Sequence, residues 1–192
     1  MKGLPKIEPM LLRMPRGFCS RIRLFIYRAL GMRMGVRNRM EGGGRCRRVS
    51  QIEIGDYNAF TQGVWLWPLD SDYDGTRIQI GNYNYFNKNV MIDACGLISI
   101  GDRNMIGPNT YITDSDHIME PGKWVSESPM NVGKVVIGDG CWIGANVAIL
   151  RDVVLGDRCV VAAGSIVAQS FKAGSVIGGN PARLIKRESF TQ

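Results

Sequence analysis

The chain has 192 residues, of which 45% are hydrophobic, a composition that suits one principal domain with a buried core and some additional elements. Its net charge of +7 is uneven, because residues 1–50 contain 13 Lys+Arg and 2 Asp+Glu, whereas residues 51–192 contain 11 basic and 15 acidic residues. The odd number of cysteines and the lack of a C-x-x-C pair argue against a disulfide framework or a structural zinc site and favour a reducing cytoplasm; the five are Cys19, Cys46, Cys95, Cys141 and Cys159.

The basic N-terminal segment, residues 1–50, predicts an amphipathic helix within residues 9–40 that ends near Gly35. On a helical wheel its apolar face consists of Phe18, Ile22, Phe25, Ala29 and Met32. We expect this helix to cover one end of the fold, with its arginines available to an anionic membrane surface. No recognition motif supports a nucleic-acid partner, and the apolar stretch 24–30 is too short to span a bilayer.

A six-residue repeat organises residues 51–187. The aliphatic or aromatic residues that define it are Ile54, Phe60, Ile80, Phe86, Ile92, Ile98, Ile100, Ile106, Ile112, Ile137, Ile143, Ile149, Leu155, Val161 and Val167. A period of six fits neither an α-helix nor a lone strand, but it fits a parallel β-solenoid with three short strands per triangular coil. We expect about five to seven coils, with inward repeat residues and Gly-Asp or Gly-Asn pairs at corners of positive φ.

Two segments interrupt the period, residues 61–77 and residues 116–134, and both are expected to be loops extruded from the coils. Loops on a rigid scaffold are favoured places for a functional site. The C-terminal sequence SVIGGNPARLIKRESF leaves the period and predicts a short terminal helix, with residues 188–192 as a tail.

His117 is the only histidine, and it lies at the edge of the second extruded loop. A neutral imidazole can accept a hydroxyl proton at physiological pH, and Asp114 or Asp116 is a candidate to fix its tautomer. A structural or surface role is the alternative. We expect no metal site, because no second histidine is available to share a metal ion.

The repeat, the segment ITDSDH, the run VVIGDGCWIGANVAIL, and the later VVAAGSIV and GGNPARLIK resemble the left-handed parallel β-helix acyltransferases. Within them, residues 52–187 look like the galactoside, maltose and xenobiotic O-acetyltransferase branch, especially bacterial O-acetyltransferases of surface-polysaccharide synthesis. The resemblance implies a homotrimer with active sites in clefts between subunits. It also implies acetyl-CoA as co-substrate and a catalytic histidine, here His117, that deprotonates the acceptor hydroxyl.

The resemblance also implies the binding residues. Acceptor positions are matched by Asn87, Asp93 and Trp142, and positions along the cofactor by Ala145, Ala163, Arg183 and Lys186. Gln169 departs from the family pattern, which usually has a lysine there. Each of these residues has a structural alternative: corner residues for Asn87 and Asp93, coil surface for Trp142, and a solvated helix face for Arg183 and Lys186.

These observations lead us to expect an acetyl-CoA-dependent O-acetyltransferase that acts on a saccharide, cytoplasmic or peripheral at the inner face of the membrane. Two alternatives remain open at this point. One is N-acetylation of an amino-sugar nucleotide by the same histidine, and the other is a β-helix that binds or scaffolds without catalysis.

Overall fold

The computed structural model describes residues 8–69 and 75–187, and for residues 8–16 it describes the backbone alone. Within these residues one helix, α1 (Glu8–Ala29), precedes a left-handed parallel β-helix whose strands fall into three sheets. The predicted tail, residues 188–192, lies outside the described residues. None of the described helices is long and apolar enough to cross a membrane.

The three sheets are the three faces of the solenoid, and each coil contributes one strand to each face. Sheet A contains β1 (Arg33–Met34), β4 (Ile52–Ile54), β7 (Ile78–Ile80), β10 (Leu97–Ile100), β15 (Lys134–Ile137) and β18 (Val154–Leu155). Sheet B contains β2 (Arg39–Met40), β5 (Ala59–Phe60), β8 (Tyr85–Phe86), β11 (Met105–Ile106), β16 (Trp142–Ile143), β19 (Val160–Val161), β21 (Ser175–Gly179) and β22 (Ala182–Arg187). Sheet C contains β3 (Arg45–Cys46), β6 (Trp65–Pro68), β9 (Met91–Ala94), β12 (Tyr111–Thr113), β17 (Ala148–Ile149) and β20 (Ile166–Val167).

Two further strands, β13 (Ser115–His117) and β14 (Met130–Val132), form an antiparallel hairpin, which we call the arm (residues 114–133). Short 3-10 helices occur at Val49–Gln51 and Val125–Glu127. The arm leaves the solenoid after β12 and returns at β15, so it is inserted in the sequence between the fourth and fifth coils. The strands of these two coils still pair directly in all three sheets.

The repeat residues form columns inside the solenoid, as the period predicts. In sheet A the register aligns Ile54, Ile80, Ile100, Ile137 and Leu155, and all five are buried. In sheet B the rings of Phe60 and Phe86 stack with centroids 4.7 Å apart, a contact that contributes about 1 kcal/mol beyond area burial. The predicted inward pattern is confirmed, and six complete coils plus part of a seventh lie in the described residues.

The corners between sheets A and B differ from the expectation. The residue that adopts positive φ is the one after each Gly-Asp or Gly-Asn pair, for example Tyr57 at 58°. Glycine is required two residues earlier, because a Cβ on Gly55 would lie 2.7 Å from the Gly81 carbonyl oxygen of the next coil. The carboxylate or amide oxygens form a ladder in which Asp102, for instance, accepts the backbone N–H of Asn82 at 2.7 Å.

The solenoid begins earlier than residue 51, because β1, β2 and β3 already pair with β4, β5 and β6. The helix ends at Ala29, and Gly31 rather than Gly35 terminates it. Gly31 has φ of 101°, and the backbone N–H groups of Gly31 and Met32 donate to the Arg28 and Tyr27 carbonyls, which is the Schellman arrangement.

The helix packs on the first coil through a different face from the one predicted. Ser20 and Leu24 are buried, whereas Phe18, Ile22 and Phe25 are exposed. The reason is the open edge of β2. The hydroxyl of Ser20 accepts the Met40 N–H at 2.9 Å, and Arg23 Nη1 donates to the Met40 carbonyl at 2.8 Å. An edge strand needs polar partners, and these two side chains supply them.

Two loop or tail expectations are also corrected. Part of the segment 61–77 is regular, because Trp65–Pro68 continues sheet C as β6. The C-terminal segment is a strand rather than a helix, because β22 pairs antiparallel with β21. That pairing covers the edge that sheet B would otherwise leave open at its last parallel strand.

Candidate active site

His117 lies on the arm, at the end of β13, where its register partner across the hairpin is Met130. The side chain is exposed, in contrast to the inward columns of the neighbouring coils. The strand pairing fixes its backbone, so the imidazole projects from a defined position outside the triangular section of the solenoid.

The base of the arm is anchored by Asp114. Its carboxylate accepts the backbone N–H groups of Cys95 at 2.7 Å and Gly96 at 2.9 Å, and its own carbonyl accepts the Gly133 N–H at 2.8 Å. Burial raises the pKa of this carboxyl above its usual value, and the two N–H donors oppose that rise. Asp114 therefore holds the two ends of the arm to the preceding coil.

The second carboxylate, Asp116, forms an ion pair with Arg151, whose Nε lies 3.1 Å from Oδ2. Arg151 also contacts Asp152, at the corner that follows β17. Within the described residues neither Asp114 nor Asp116 is hydrogen-bonded to His117. The suggestion that one of them fixes the tautomer of the imidazole is therefore corrected.

The outer face of sheet C carries Asp93. Its Oδ2 accepts the hydroxyl of Tyr111 at 2.9 Å, and its register partners are Trp67 and Thr113. Burial raises the pKa of Tyr111, and the nearby Asp93 carboxylate raises it further. The Tyr111 hydroxyl therefore stays protonated and keeps the Asp93 carboxylate oriented.

Trp65 and Trp67 continue this outer face, with ring centroids 5.4 Å apart. The guanidinium groups of Arg45 and Arg47 each lie 5.4 Å from one of the two rings. This aromatic and basic surface adjoins Asp93, because Trp67 is the register partner of Asp93 on the neighbouring strand.

Sheet B carries Trp142 on its outer face, with Met105 and Val160 as register partners on either side. Trp142 is 61% exposed and Met105 is 58% exposed. Large apolar side chains on an outer face of a solenoid are unusual for a surface in contact with water alone, and they indicate a surface that contacts a ligand or another chain.

The corner between sheets B and C brings several predicted residues into one row along the solenoid. Ala145 follows β16, and Ala163 occupies the equivalent place one coil further, where Gly164 N donates to the Ala145 carbonyl at 2.8 Å. A Cβ on Gly144 would lie 2.6 Å from the Ala163 nitrogen, so the backbones are closely packed here. Asn87 lies at the same corner two coils earlier, and its Oδ1 accepts the Lys88 N–H.

Arg183 and Lys186 lie on β22, at the end of sheet B, and both are exposed. Arg183 Nη1 donates to the Ala182 carbonyl at 3.1 Å. Their strand is the outermost of the sheet that carries Trp142. The described residues contain no group of three or more His, Cys, Asp or Glu side chains with the arrangement of a metal site.

The comparisons with known proteins agree with the β-helix fold. The family described as bacterial transferase hexapeptide (six repeats) matches residues 134–169. A hexapeptide-repeat acetyltransferase from Vibrio cholerae, solved with acetyl coenzyme A, is 26% identical with a TM-score of 0.65, over 92% of this chain and 81% of that chain. The chain therefore has the left-handed parallel β-helix fold, and residues 134–169 match the hexapeptide-repeat family.

Two further solved structures are similar to this chain. A maltose O-acetyltransferase from Clostridium difficile is 26% identical with a TM-score of 0.59, over 93% of this chain and 89% of that chain. AntD, an N-acyltransferase from Bacillus cereus solved with dTDP and 3-hydroxybutyryl-CoA, is 22% identical with a TM-score of 0.73, over 88% of this chain and 89% of that chain. The AntD likeness shows the fold.

The candidate residues fall into two groups on different faces. One group lies along sheet B and its corner with sheet C: Asn87, Trp142, Ala145, Ala163, Arg183 and Lys186. The other group lies on sheet C and the arm and contains Asp93 and His117. One chain therefore presents the two groups in different directions.

Sequence reasoning missed two residues that hold this second group, Tyr111 and Arg151. Tyr111 had a detectable signal, because it lies two residues before Thr113, the register partner of Asp93, and alternate residues of a strand share one face. Arg151 had no such signal, because the arm separates the fourth and fifth coils in sequence and breaks the regular spacing between equivalent residues.

Proposed function

We propose that this protein transfers the acetyl group of acetyl-CoA to a hydroxyl of a saccharide, with His117 as the general base. The observation that carries the proposal is the division of the candidate residues: an exposed imidazole projects on the arm, and an exposed indole with closely packed backbone groups lies on another face. The similar acetyltransferase from Vibrio cholerae, solved with acetyl coenzyme A, supports acetyl-CoA as the donor. The similar maltose O-acetyltransferase from Clostridium difficile supports a saccharide hydroxyl as the acceptor.

In the proposed reaction the neutral imidazole removes the proton of the acceptor hydroxyl while the oxygen attacks the thioester carbonyl. The resulting tetrahedral oxyanion receives a hydrogen bond from the backbone N–H of Ala145. The carbon–sulfur bond then breaks, and the imidazolium returns its proton to the coenzyme A sulfur. General-base assistance of this kind contributes about 10²–10⁴ to the rate.

Other residues bind and orient the substrates in this proposal. Asn87 and Asp93 hold the acceptor, and Trp142 lies beside the acceptor and the thioester. Ala163 contributes backbone groups to the pantetheine arm. Arg183 and Lys186, at the end of sheet B, provide cationic partners for the phosphates, where charge-assisted hydrogen bonds are strongest.

We further propose that the protein is a homotrimer, because a second copy is needed to place one chain's arm against another chain's sheet B. A three-fold arrangement completes three such sites with one type of contact. The exposed apolar residues Met105 and Trp142 on sheet B, and Met119 and Trp124 on the arm, fit a contact of this kind.

The acceptor is proposed to be a surface-polysaccharide unit or its lipid-linked precursor. We place the protein in the cytoplasm, with its N-terminal segment (residues 9–40) near the anionic inner face of the membrane. N-acetylation of an amino-sugar nucleotide is the second candidate function. Its support is the similar fold of AntD, an N-acyltransferase solved with dTDP. An enzyme for the second reaction acetylates amino sugars and leaves hydroxyl-only sugars unchanged.

The first experiment measures thiol release from acetyl-CoA with a panel of neutral, amino and nucleotide-linked sugars. We expect turnover with a hydroxyl acceptor and a loss of about 10²–10⁴ in kcat for His117→Ala. Lys123→Ala, on the same arm, is the matched control. No turnover with any acceptor supports the scaffold alternative, whereas equal turnover by wild type and His117→Ala contradicts the role of His117 as the general base.

A mixing experiment tests whether the site lies between chains. His117→Ala and Trp142→Ala protein are each expected to have low activity, and trimers reassembled from both are expected to regain activity at interfaces that pair an intact arm with an intact sheet B. Failure to regain activity in verified mixed trimers contradicts a shared site.

A further inference from the structure

The helix α1 has a broad apolar face that points away from the solenoid. Phe18 is 66% exposed and Phe25 is 71% exposed, and the other members of this face are Ile22, Ile26 and Leu30, all exposed. Side chains three and four positions apart share one side of a helix, so these residues form one continuous stripe, which we call the outward face.

The outward face is not needed to close the solenoid. Leu24 packs into the core, and Ser20 and Arg23 satisfy the backbone of Met40 at the edge of sheet B. These residues lie on the opposite side of the helix from Phe18 and Phe25. Exposure of two phenylalanine side chains to water is unfavourable in free energy, and the docking of the helix does not require it. This indicates that another apolar environment covers them.

The charge around the outward face specifies that environment. Arg21 and Arg28 flank one side of the stripe and are both exposed, and residues 1–50 contain 13 basic and 2 acidic residues. A helix with an apolar face bordered by arginines is suited to the boundary between the headgroups and acyl chains of an anionic bilayer. A helix-to-helix contact between two copies would bring two of these basic segments together, and residues 1–50 contain only 2 acidic residues against 13 basic ones. Like-charge repulsion disfavours that contact.

We propose that the outward face of α1 is a docking surface for an anionic lipid bilayer. The helix lies parallel to the membrane plane, with Phe18 and Phe25 among the upper acyl carbons and the exposed Arg21 against the lipid phosphates. Arg28 borders the same side of the stripe, where its guanidinium donates to the Met34 and Gly35 carbonyls. Its 22 residues give it a length of about 33 Å, and it does not cross the membrane.

This orientation has a consequence for the proposed acetyl transfer. The helix covers the first coil, so the coils stack away from the bilayer, and the arm follows the fourth coil. Three coil spacings separate the first and fourth coils, a distance of about 15 Å. A lipid-linked sugar would therefore be acetylated at a unit held off the membrane surface, on the face that carries Asp93.

The test uses the full chain and needs no acetyl-CoA, so its outcome is independent of the proposed enzyme activity. Flotation is measured with phosphatidylcholine vesicles and with vesicles that also contain phosphatidylglycerol. We expect binding to the anionic vesicles only, and release in high salt. The double variant Phe18→Glu with Phe25→Glu is expected to lower the partition coefficient by at least about tenfold, and Arg21→Gln by about threefold.

Val36→Glu is the matched control, because Val36 is 58% exposed, lies in the same basic segment and is outside α1. We expect the partition coefficient of Val36→Glu to remain within about twofold of the wild-type value, once the effect of its one added negative charge is subtracted. As a second measurement, a polarity-sensitive dye on Cys19, the exposed one of the five cysteines, is expected to report an apolar environment when vesicles are added.

Three results would overturn the proposal. The first is wild-type protein that does not float with anionic vesicles. The second is a double variant that floats as wild type does. The third is a double variant that changes the sedimentation of the oligomer while neither protein binds vesicles, which would assign the outward face to a second copy of the chain.

Discussion

The Nε atom of Arg151 lies 3.1 Å from Oδ2 of Asp116, and this ion pair connects the arm to the fifth coil one residue before His117. The side chains are 28% and 54% exposed, so solvent screens the pair and its net contribution to stability is small. Its geometric effect is larger, because it restrains the strand that carries the proposed base from the side opposite to Asp114.

We therefore expect Arg151→Gln to reduce activity more than stability. The kcat for acetyl transfer should fall about tenfold, because small displacements of a catalytic group are costly, while the KM for acetyl-CoA and the free energy of unfolding change little. Steady-state kinetics and urea unfolding measure the two effects separately.

Arg151→Lys should recover part of the lost kcat, since it keeps the positive charge. Arg103→Gln is the control, because Arg103 is an exposed arginine over Tyr83 at another corner. A fall in kcat of equal size in both glutamine variants would contradict a positioning role for Arg151.

Two neighbouring residues of α1 test which face holds the helix. Leu24 is 5% exposed and Phe25 is 71% exposed. We expect Leu24→Ala to reduce the free energy of unfolding by about 2–4 kcal/mol through a cavity in the core. Phe25→Ala should change it by less than about 1 kcal/mol in the absence of lipid. Chemical denaturation of the two variants side by side measures this, and a reversed order would contradict the described docking of α1.

The contact between α1 and the first coil predicts a loss of stability at alkaline pH. Burial raises the pKa of the Cys46 thiol from 9.0 to about 12, and burial, followed by the nearby Cys46, raises the pKa of Tyr27 from 10.0 to about 12. At a pH between the ordinary pKa and the raised pKa of each group, the unfolded chain has lost a proton that the folded protein keeps. The stability that these neutral groups contribute is therefore complete below pH 9.0 and is lost as the pH rises towards about 12.

Cys46→Ala should remove part of this alkaline decline, and Tyr27→Phe should remove another part. The free energy of unfolding, measured at several pH values from about 8 to 11, gives the slope for each variant. Cys19→Ala is the control, because that thiol is exposed. Parallel slopes for wild type and Cys46→Ala would show that the Cys46 thiol does not cause the decline.

The inward columns were predictable because one rule determines them. Every sixth residue faces the interior of a triangular coil, so Ile106, Ile143 and their equivalents could be placed without knowledge of any distant contact. The arm was predictable as an interruption of that rule, although its internal hairpin was not.

The packing of α1 was predicted wrongly for a physical reason. A helical wheel ranks the faces of a helix by their apolar content alone. The edge of β2, however, offers a backbone N–H and a carbonyl at Met40 that need partners, and Ser20 and Arg23 supply them. Hydrogen-bond demand at a sheet edge depends on the fold and leaves no mark in the helix sequence. The same holds for the C-terminal segment, where the edge of β21 recruits a strand from residues predicted to be helical.

The backbones of successive coils approach each other closely at the corner between sheets B and C. A Cβ on Gly107 would lie 2.5 Å from the Gly144 carbonyl carbon and 2.6 Å from the Ala145 nitrogen, and both atoms are backbone that cannot rotate away. Gly107→Ala must therefore separate the fourth and fifth coils locally and displace Ala145. We expect a loss of about 1–3 kcal/mol in the free energy of unfolding. We also expect a higher KM for acetyl-CoA, because Ala145 is proposed to line the thioester.

Gly17→Ala is the control, since no heavy atom lies within 4 Å of its added Cβ. Alanine in a helix should stabilise the protein by up to about 1 kcal/mol relative to glycine. A Gly107→Ala protein with unchanged stability and unchanged KM would contradict both the close approach of these coils and the place assigned to the cofactor.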